Sequence, residues 1–312
     1  MAVTGTGLVF DDEFLKHDTG AGHPECGQRL VAMRQRFEAE QIFEKTVGIG
    51  VREATAEELR RAHGAGYLAL AEREIRGGVR QLSTGDTVVC EDSWEVAVKA
   101  AGGVLNAVDA VMAGEVANAF CATRPPGHHA TADVGMGFCV VNHVAVAARH
   151  AQAVHGVKRV VIVDWDVHHG NGTQDIFYGD GSVFYFSTHQ WPLYPGTGRA
   201  TDTGKGNGEG ATLNVPVAAG GGMAEIGAAF RGEFMAAMRQ FKPELVVLSA
   251  GFDSRAGDPL GALRLRDEDF VELTGLLLEL AGGKLVSVLE GGYNTEGLSL
   301  AAAAHVGRLL EG

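Results

Sequence analysis

Cysteine is scarce in this 312-residue chain: Cys26, Cys90, Cys121 and Cys139 are the only four, and no C-x-x-C pair occurs among them. Scattered single thiols speak against a disulfide framework or a thiolate zinc site and fit reduced cysteines in a cytoplasmic protein. Apolar runs of membrane-spanning length are missing, so no membrane partner is expected, and Met1-Ala-Val-Thr4 lacks the charged start of a signal peptide. Low-complexity tracts, internal repeats and linkers are absent too. With 46% hydrophobic residues, one large core over residues 1–312 is expected. Positive charge is in deficit. Lys and Arg number 26 against 39 Asp and Glu, a net charge of −13, which argues against a nucleic-acid partner held through phosphates. An acidic surface would attract cationic substrates such as lysine-rich tails or polyamines, although any soluble acidic enzyme shares this composition.

What is present is a regular alternation. Short apolar runs at Gly7–Phe10, Ala117–Ala122, Val160–Val167, Val183–Ser187, Leu213–Val217, Leu245–Ala250 and Leu285–Leu289 read as strands. Ala-rich stretches at Ser93–Met112, Asn142–Val154, Met223–Gln240, Glu268–Ala281 and Thr295–Leu310 read as helices, with caps at Asp92 or Ser93 and at Thr295. Such alternation predicts an α/β fold: a mostly parallel central sheet covered by helices on both faces, in a single domain. Polar clusters follow four of the strands: Arg124-Pro-Pro-Gly-His-His129, His168-His-Gly-Asn171, Asp253-Ser-Arg255 and Glu290-Gly-Gly-Tyr293. Open parallel sheets build their sites at the carboxyl ends of strands, so four such clusters imply one pocket.

The chemistry is concentrated in Asp164-Trp-Asp-Val-His168. Alternation along a strand would turn Asp164, Asp166 and His168 the same way, and oxygen and nitrogen ligands at that spacing suit a divalent metal, Zn²⁺ first. Asp253, at the end of another buried strand, is the natural third ligand beside Asp166 and His168; capping of its own turn is the bland alternative. Three protein ligands leave a position for water and substrate. Adjacent histidines fixed by Pro125-Pro126-Gly127 beside a metal suggest proton transfer, with Asp164 and Asn171 available as unlike partners for His128 and His129. Tyr293 could donate to a developing oxyanion. His63, His143, His150, His155 and His305 fall on helical stretches and read as solvated or core residues. His17, His23 and His189 fall in loops and could line a pocket rim.

These segments occur in order with Gly137-Phe-Cys139, Tyr194-Pro-Gly-Thr-Gly198 and Gly257-Asp-Pro-Leu260, from about Asp18 to the C-terminus. The set resembles the zinc-dependent histone deacetylase family, which includes acetoin-utilisation proteins and acetylpolyamine amidohydrolases. The resemblance implies an arginase-like α/β fold and one Zn²⁺ held by Asp166, His168 and Asp253. It makes His129 the general base, oriented by Asn171, and His128 its electrostatic companion paired with Asp164, while Tyr293 polarises the scissile carbonyl. Gly137 and Phe138 would line the substrate tunnel, Tyr194 its opposite wall, Leu260 its mouth and Asp92 its rim. A K⁺ beside the zinc is also suggested, with Asp164, the carbonyls of Asp166 and His168, Ser187 and the Thr188 carbonyl around it. The implied reaction is removal of acetyl or other acyl groups from N-acyl-lysine or a small acylated amine.

Three rivals can be weighed on residues. A two-metal ureohydrolase on the same fold needs an acidic ligand two residues beyond Asp253, where Arg255 stands. A non-catalytic acyl-amine binding protein would be expected to have lost a ligand, the tyrosine or a histidine, and all are retained. Acetylpolyamine hydrolysis stays open: Leu260, in place of an acidic group at the mouth, argues against it and for acyl-lysine.

Overall fold

The β-branched runs form one sheet in the computed structural model, which describes residues 5–312; the Met1–Thr4 start discussed above lies outside the described residues. Its strands are β1 (Thr6–Val9), β2 (Val47–Gly48), β3 (Asn118–Cys121), β4 (Val160–Asp164), β5 (Val183–Gln190), β6 (Thr212–Val217), β7 (Leu245–Ala250) and β8 (Leu285–Leu289). Their order across the sheet is β2-β1-β3-β8-β7-β4-β5-β6. Every one of these pairings is parallel. All residues of β3, β4, β5, β7 and β8 are buried, so both faces are covered and the strands need no polar alternation. The four strands that carry the polar clusters, β3, β8, β7 and β4, are consecutive neighbours in this order. Their carboxyl ends therefore form one continuous edge.

Helix Ser93–Ala113 packs on β1, β3 and β8 and against helix His143–His155, while the C-terminal helix Thr295–Glu311 packs against helices Gln28–Ala39 and Asp267–Leu278. Contrary to the expectation that no apolar run is of spanning length, helix Ser93–Ala113 is long and apolar enough to cross a membrane by length and composition. Of its apolar window 72% is buried inside the protein, so its hydrophobicity is accounted for by core packing.

Other boundaries moved for local reasons. The helix expected at Met223–Gln240 is interrupted by a π-turn at Phe230–Phe234, which brings both Phe230 and Phe234 onto Phe186 of β5. The C-terminal helix is capped by Asn294, whose side chain accepts the Gly297 N–H, one residue before the expected Thr295. Helices Gln28–Ala39, Ala65–Arg76 and Asn171–Phe177 and strand β2 were not anticipated.

Candidate active site

The ladder of β4 ends at Asp164, so the convergence of Asp164, Asp166 and His168 does not come from strand alternation as the sequence suggested. Instead each acidic side chain folds back on the backbone two residues ahead. Asp164 Oδ1 accepts the Asp166 N–H at 3.1 Å, and Asp166 Oδ1 accepts the His168 N–H at 2.8 Å. Between them Trp165 and Val167 are driven fully into the core. From β7, Asp253 arrives with Oδ1 accepting the Val167 N–H at 2.8 Å. His168 Nδ1 then lies 3.0 Å from Asp166 Oδ1 and 3.2 Å from Asp253 Oδ2.

Several features of this trio fit a divalent cation. Ligand atoms of Asp166, His168 and Asp253 all lie within 4.8 Å of one another. Asp253 Oδ2 is buried without a hydrogen-bond partner. Burial and the nearby Asp166 charge push the Asp253 carboxyl up to about 7, whereas His128 and His168 overcome burial to hold Asp166 low. The glycines of the flanking turns permit the crowding: a Cβ on Gly251 would collide with Asp166, and one on Gly291 with Asp253. Two buried carboxylates and one imidazole nitrogen are a donor set suited to Zn²⁺. Arg255, two residues on, is turned to Asp267 at 2.7 and 3.0 Å, so it adds no ligand for a second ion.

The tandem histidines hang from the loop after β3. Glu290 Oε2, from the end of β8, accepts the N–H groups of Gly127 at 2.6 Å and His128 at 3.0 Å, and His143 Nε2 meets the Pro125 carbonyl at 3.1 Å. His128 Nδ1 lies 2.9 Å from Asp164 Oδ2, His129 Nδ1 lies 2.8 Å from Asn171 Oδ1, and the two ring centroids are 4.0 Å apart. The partners decide the charges. Burial disfavours a charged His128, but the Asp164 and Asp166 carboxylates raise it well above its ordinary range. Burial and then the positive His128 hold His129 well below. An imidazolium thus sits against a neutral imidazole whose Nδ1–H is taken by an amide, leaving its Nε2 as an unprotonated base.

A cavity of about 240 Å³ opens above these groups, lined by Asp86, His129, Gly137, Phe138, His168, Leu193, Tyr194, Leu260 and Tyr293. Gly137 (φ 57°) and Phe138 (φ 67°) both take left-handed backbone, and a Cβ on Gly137 would collide with the His129 ring. For a phenylalanine that conformation costs of order 1 kcal/mol, spent in turning the ring into the cleft wall. Phe138 meets Tyr293 edge-on at 6.0 Å, and Tyr194 meets His129 edge-on at 5.2 Å. Asp258 Oδ2 accepts the Tyr293 N–H at 2.6 Å, and Arg29 lies 5.2 Å from the Tyr293 ring centroid while donating to the Gly292 carbonyl at 2.7 Å. Burial and the Asp253 carboxylate push the phenol well above its ordinary range, so it keeps the proton it would donate.

Of the residues singled out in the sequence, Asp92 stands apart: it is exposed at the start of helix Ser93–Ala113. The carboxylate at the cleft is Asp86, whose Oδ1 accepts the Gly137 N–H at 2.7 Å and the Tyr194 O–H at 3.3 Å. Ser187 is the register partner of Asp164 on β5, with its Oγ engaged by His189 at 2.9 Å, and the neighbouring Thr188 Oγ1 is buried without a partner. None of the three histidines expected in loops lines the cavity, and His189 lies within β5 rather than in a loop. His17 and His189 are buried, and His23 lies edge-on behind Phe138 at 4.7 Å. Sequence reading missed Asp86, Arg29 and Glu25. Glu25 is fully buried between Arg29, 3.0 Å away, and Arg124, whose Nη2 donates to it at 2.8 Å. A buried Arg at the first turn of an unpredicted helix leaves no mark in composition.

Comparison with known proteins shows what the chain is similar to. Residues 23–309 match the Histone deacetylase domain family. A "Probable deacetylase" of Archaeoglobus fulgidus is 39% identical over 299 residues, covering 94% of this chain and 82% of that protein. "Polyamine deacetylase HDAC10" of Mus musculus is 40% identical over 98% of this chain, which spans 48% of that longer protein. The crystal structure of the HDA15 HD domain superposes with a TM-score of 0.94 at 39% identity, covering 98% of this chain and 91% of that one.

Proposed function

The chain belongs to the histone deacetylase family and is a deacetylase; on that footing we propose that it hydrolyses N-acyl-lysine-type amides with a single Zn²⁺ held by Asp166, His168 and Asp253. A bound divalent ion supplies Lewis acidity to the scissile carbonyl and to the attacking water. The chain's own residues do the rest. His129 Nε2 takes a proton from the attacking water and returns it to the leaving amine. His128, held positive by Asp164, keeps its neighbour neutral and stabilises negative charge as it develops, and Asn171 holds the His129 ring in the required tautomer. The Tyr293 phenol donates to the oxygen of the former carbonyl. Phe138, Tyr194 and Leu193 enclose an aliphatic stem and keep bulk water out. The observation that carries this reading is the pair of adjacent, mutually tilted histidines with opposite partners, facing a cleft beside three converging ligands.

A second substrate reading is favoured by one comparison: relatives 40% identical carry the name polyamine deacetylase. Against it stands Leu260 at the mouth, which offers no charge to a distal ammonium. A monovalent cation such as K⁺ beside Asp164 and Ser187 belongs to the same proposal, supported by their register pairing. So does a reducing, cytoplasmic setting, supported by four free cysteines. The test is acetate release from acetyl-lysine peptides, acetylpolyamines and longer acyl-lysines, together with zinc content. Wild type should carry catalytic zinc that Asp253→Ala loses while keeping its fold. Undiminished zinc and activity in that variant would remove the ligand assignment, and much faster turnover of acetylpolyamines than of every acyl-lysine would remove the substrate preference.

A further inference from the structure

A second convergence of ligand-type side chains lies on the opposite edge of the sheet. Helix Ser93–Ala113 runs into the amino end of β3 and helix His143–His155 into that of β4, whereas the active cleft is at the carboxyl ends. Where these two helices pack, His150 Nε2 and His155 Nε2 each lie 2.7 Å from the same oxygen, Asp109 Oδ1. We propose that Asp109, His150 and His155 form a second, non-catalytic site for a divalent transition-metal ion that staples the two helices together.

Three considerations support it. The ligand atoms lie within 4.8 Å of one another, and an ion with bonds of about 2.0–2.1 Å needs them ~3.3 Å apart, so small side-chain rotations suffice. The site has a closed wall and an open one: the His150 side chain is 4% exposed, those of His155 and Asp109 23% and 42%, which leaves an entry path and room for water ligands. Two imidazoles with one carboxylate select Zn²⁺, Co²⁺ or Ni²⁺ over Mg²⁺ or Ca²⁺.

The groups behind His150 set the condition for loading. Arg61 Nη1 lies 3.0 Å from His150 Nδ1 and donates to it, which requires that nitrogen to be bare and puts the ring proton on Nε2, facing Asp109. A metal on Nε2 moves the proton to Nδ1. Arg61 must then give way, and it has Glu57 at 3.6 Å to turn to, while Glu58 Oε1, 4.0 Å from Nδ1, becomes the acceptor. A carboxylate behind a ligating histidine is the usual outer-shell arrangement.

The test uses full-length enzyme stripped by a chelator and titrated with Zn²⁺ or Co²⁺, with bound metal counted per chain. Wild type should take up two ions. His155→Ala and Asp109→Asn should each take up one and retain deacetylase kcat/KM, Asp253→Ala should also take up one, and Asp253→Ala/His155→Ala none. Arg61→Ala should tighten the second ion several-fold, because it removes a cation and the competing donor. Saturation of wild type at one ion, or two ions in both His155→Ala and Asp109→Asn, would overturn the site. Weaker binding in Arg61→Ala would overturn the proton rearrangement.

Discussion

Replacing Asn171 by Asp tests the charge logic of the tandem histidines with almost no change of shape. Asn171 Oδ1 accepts from His129 Nδ1 at 2.8 Å, but an amide carries no charge to offset burial and the positive His128 that hold His129 low. Asn171→Asp keeps the acceptor and adds a negative charge at contact distance. Opposite charges this close shift a pKa by about 1–3 units. Burial resists ionising the new carboxylate, so about one to two units upward is expected for His129, or about 1.4–2.7 kcal/mol in favour of its charged form. The direction of the rate effect follows from the role: a base works only when neutral, so a raised pKa moves the acidic limb of kcat/KM to higher pH. At a pH on the wild-type plateau but one unit below the new limb, kcat/KM should fall roughly tenfold and recover as pH rises. The assay is acetate release from an acetyl-lysine peptide over roughly pH 5 to 9, spanning the histidine range, with zinc content checked in parallel. An acidic limb that stays put or moves to lower pH, with metal retained, refutes the assignment of His129 as the base oriented by Asn171.

Tyr293→Phe removes one oxyanion donor and should lower kcat by about 10²–10³-fold with KM little changed; a change confined to KM would mean that the phenol only binds substrate. Leu260→Glu places a carboxylate at the cleft mouth and should raise kcat/KM for acetylpolyamines relative to acetyl-lysine peptides by about five-fold, the equivalent of roughly 1 kcal/mol for a partly solvated charge pair. No relative gain would take Leu260 out of substrate selection. Glu25→Gln strips the charge from a fully buried carboxylate bonded to Arg29 and Arg124, and should cost about 3–5 kcal/mol, seen as a lower urea midpoint with an unchanged slope. Burial opposes its ionisation, but Arg124 and His17 hold Glu25 well below the usual carboxylate range. Its contribution is therefore present above the unfolded value near 4.5 and lost as pH falls through the lower folded value. An undiminished midpoint in the variant would show that the network adds nothing to stability.

How much of this was legible follows from the range of the forces involved. β4, β7 and β8 were readable because a buried parallel strand is a continuous apolar run, and the polar segments after them were readable because nothing in a core explains them. Helix Gln28–Ala39 was missed although Leu30, Met33 and Phe37 repeat at helical spacing, because its charged residues dilute the apolar face. Asp86 was missed for a different reason. It reaches the cleft through Gly137 and Tyr194, 51 and 108 residues away, and no local pattern encodes such contacts. Asp92 was favoured in its place by the family resemblance, in a stretch crowded with acidic residues. Arg29 is the extreme case, bonded to a carbonyl 263 residues on.

Charge balance ties these long-range contacts to the chemistry. Asp164, Asp166, Asp253 and Glu290 are fully buried at the carboxyl edge of the sheet, with Asp258 at 8% exposure beside them. Unpaired charges at that depth are prohibitively costly, so protons or cations must compensate them. His128 answers Asp164, and the Gly127 and His128 N–H groups meet Glu290, yet burial still pushes both Glu290 and Asp253 up to about 7. Arg29 and Arg124, which reach under the site, are bound to their own carboxylate, Glu25. The deficit that remains centres on the oxygens of Asp166 and Asp253, where the orphaned Oδ2 lies. A divalent cation there would draw the raised Asp253 carboxyl down to full ionisation. On the proposed reading the catalytic ion would also supply the charge that the packed core lacks, which would let Asp166 and Asp253 stay buried before any substrate arrives.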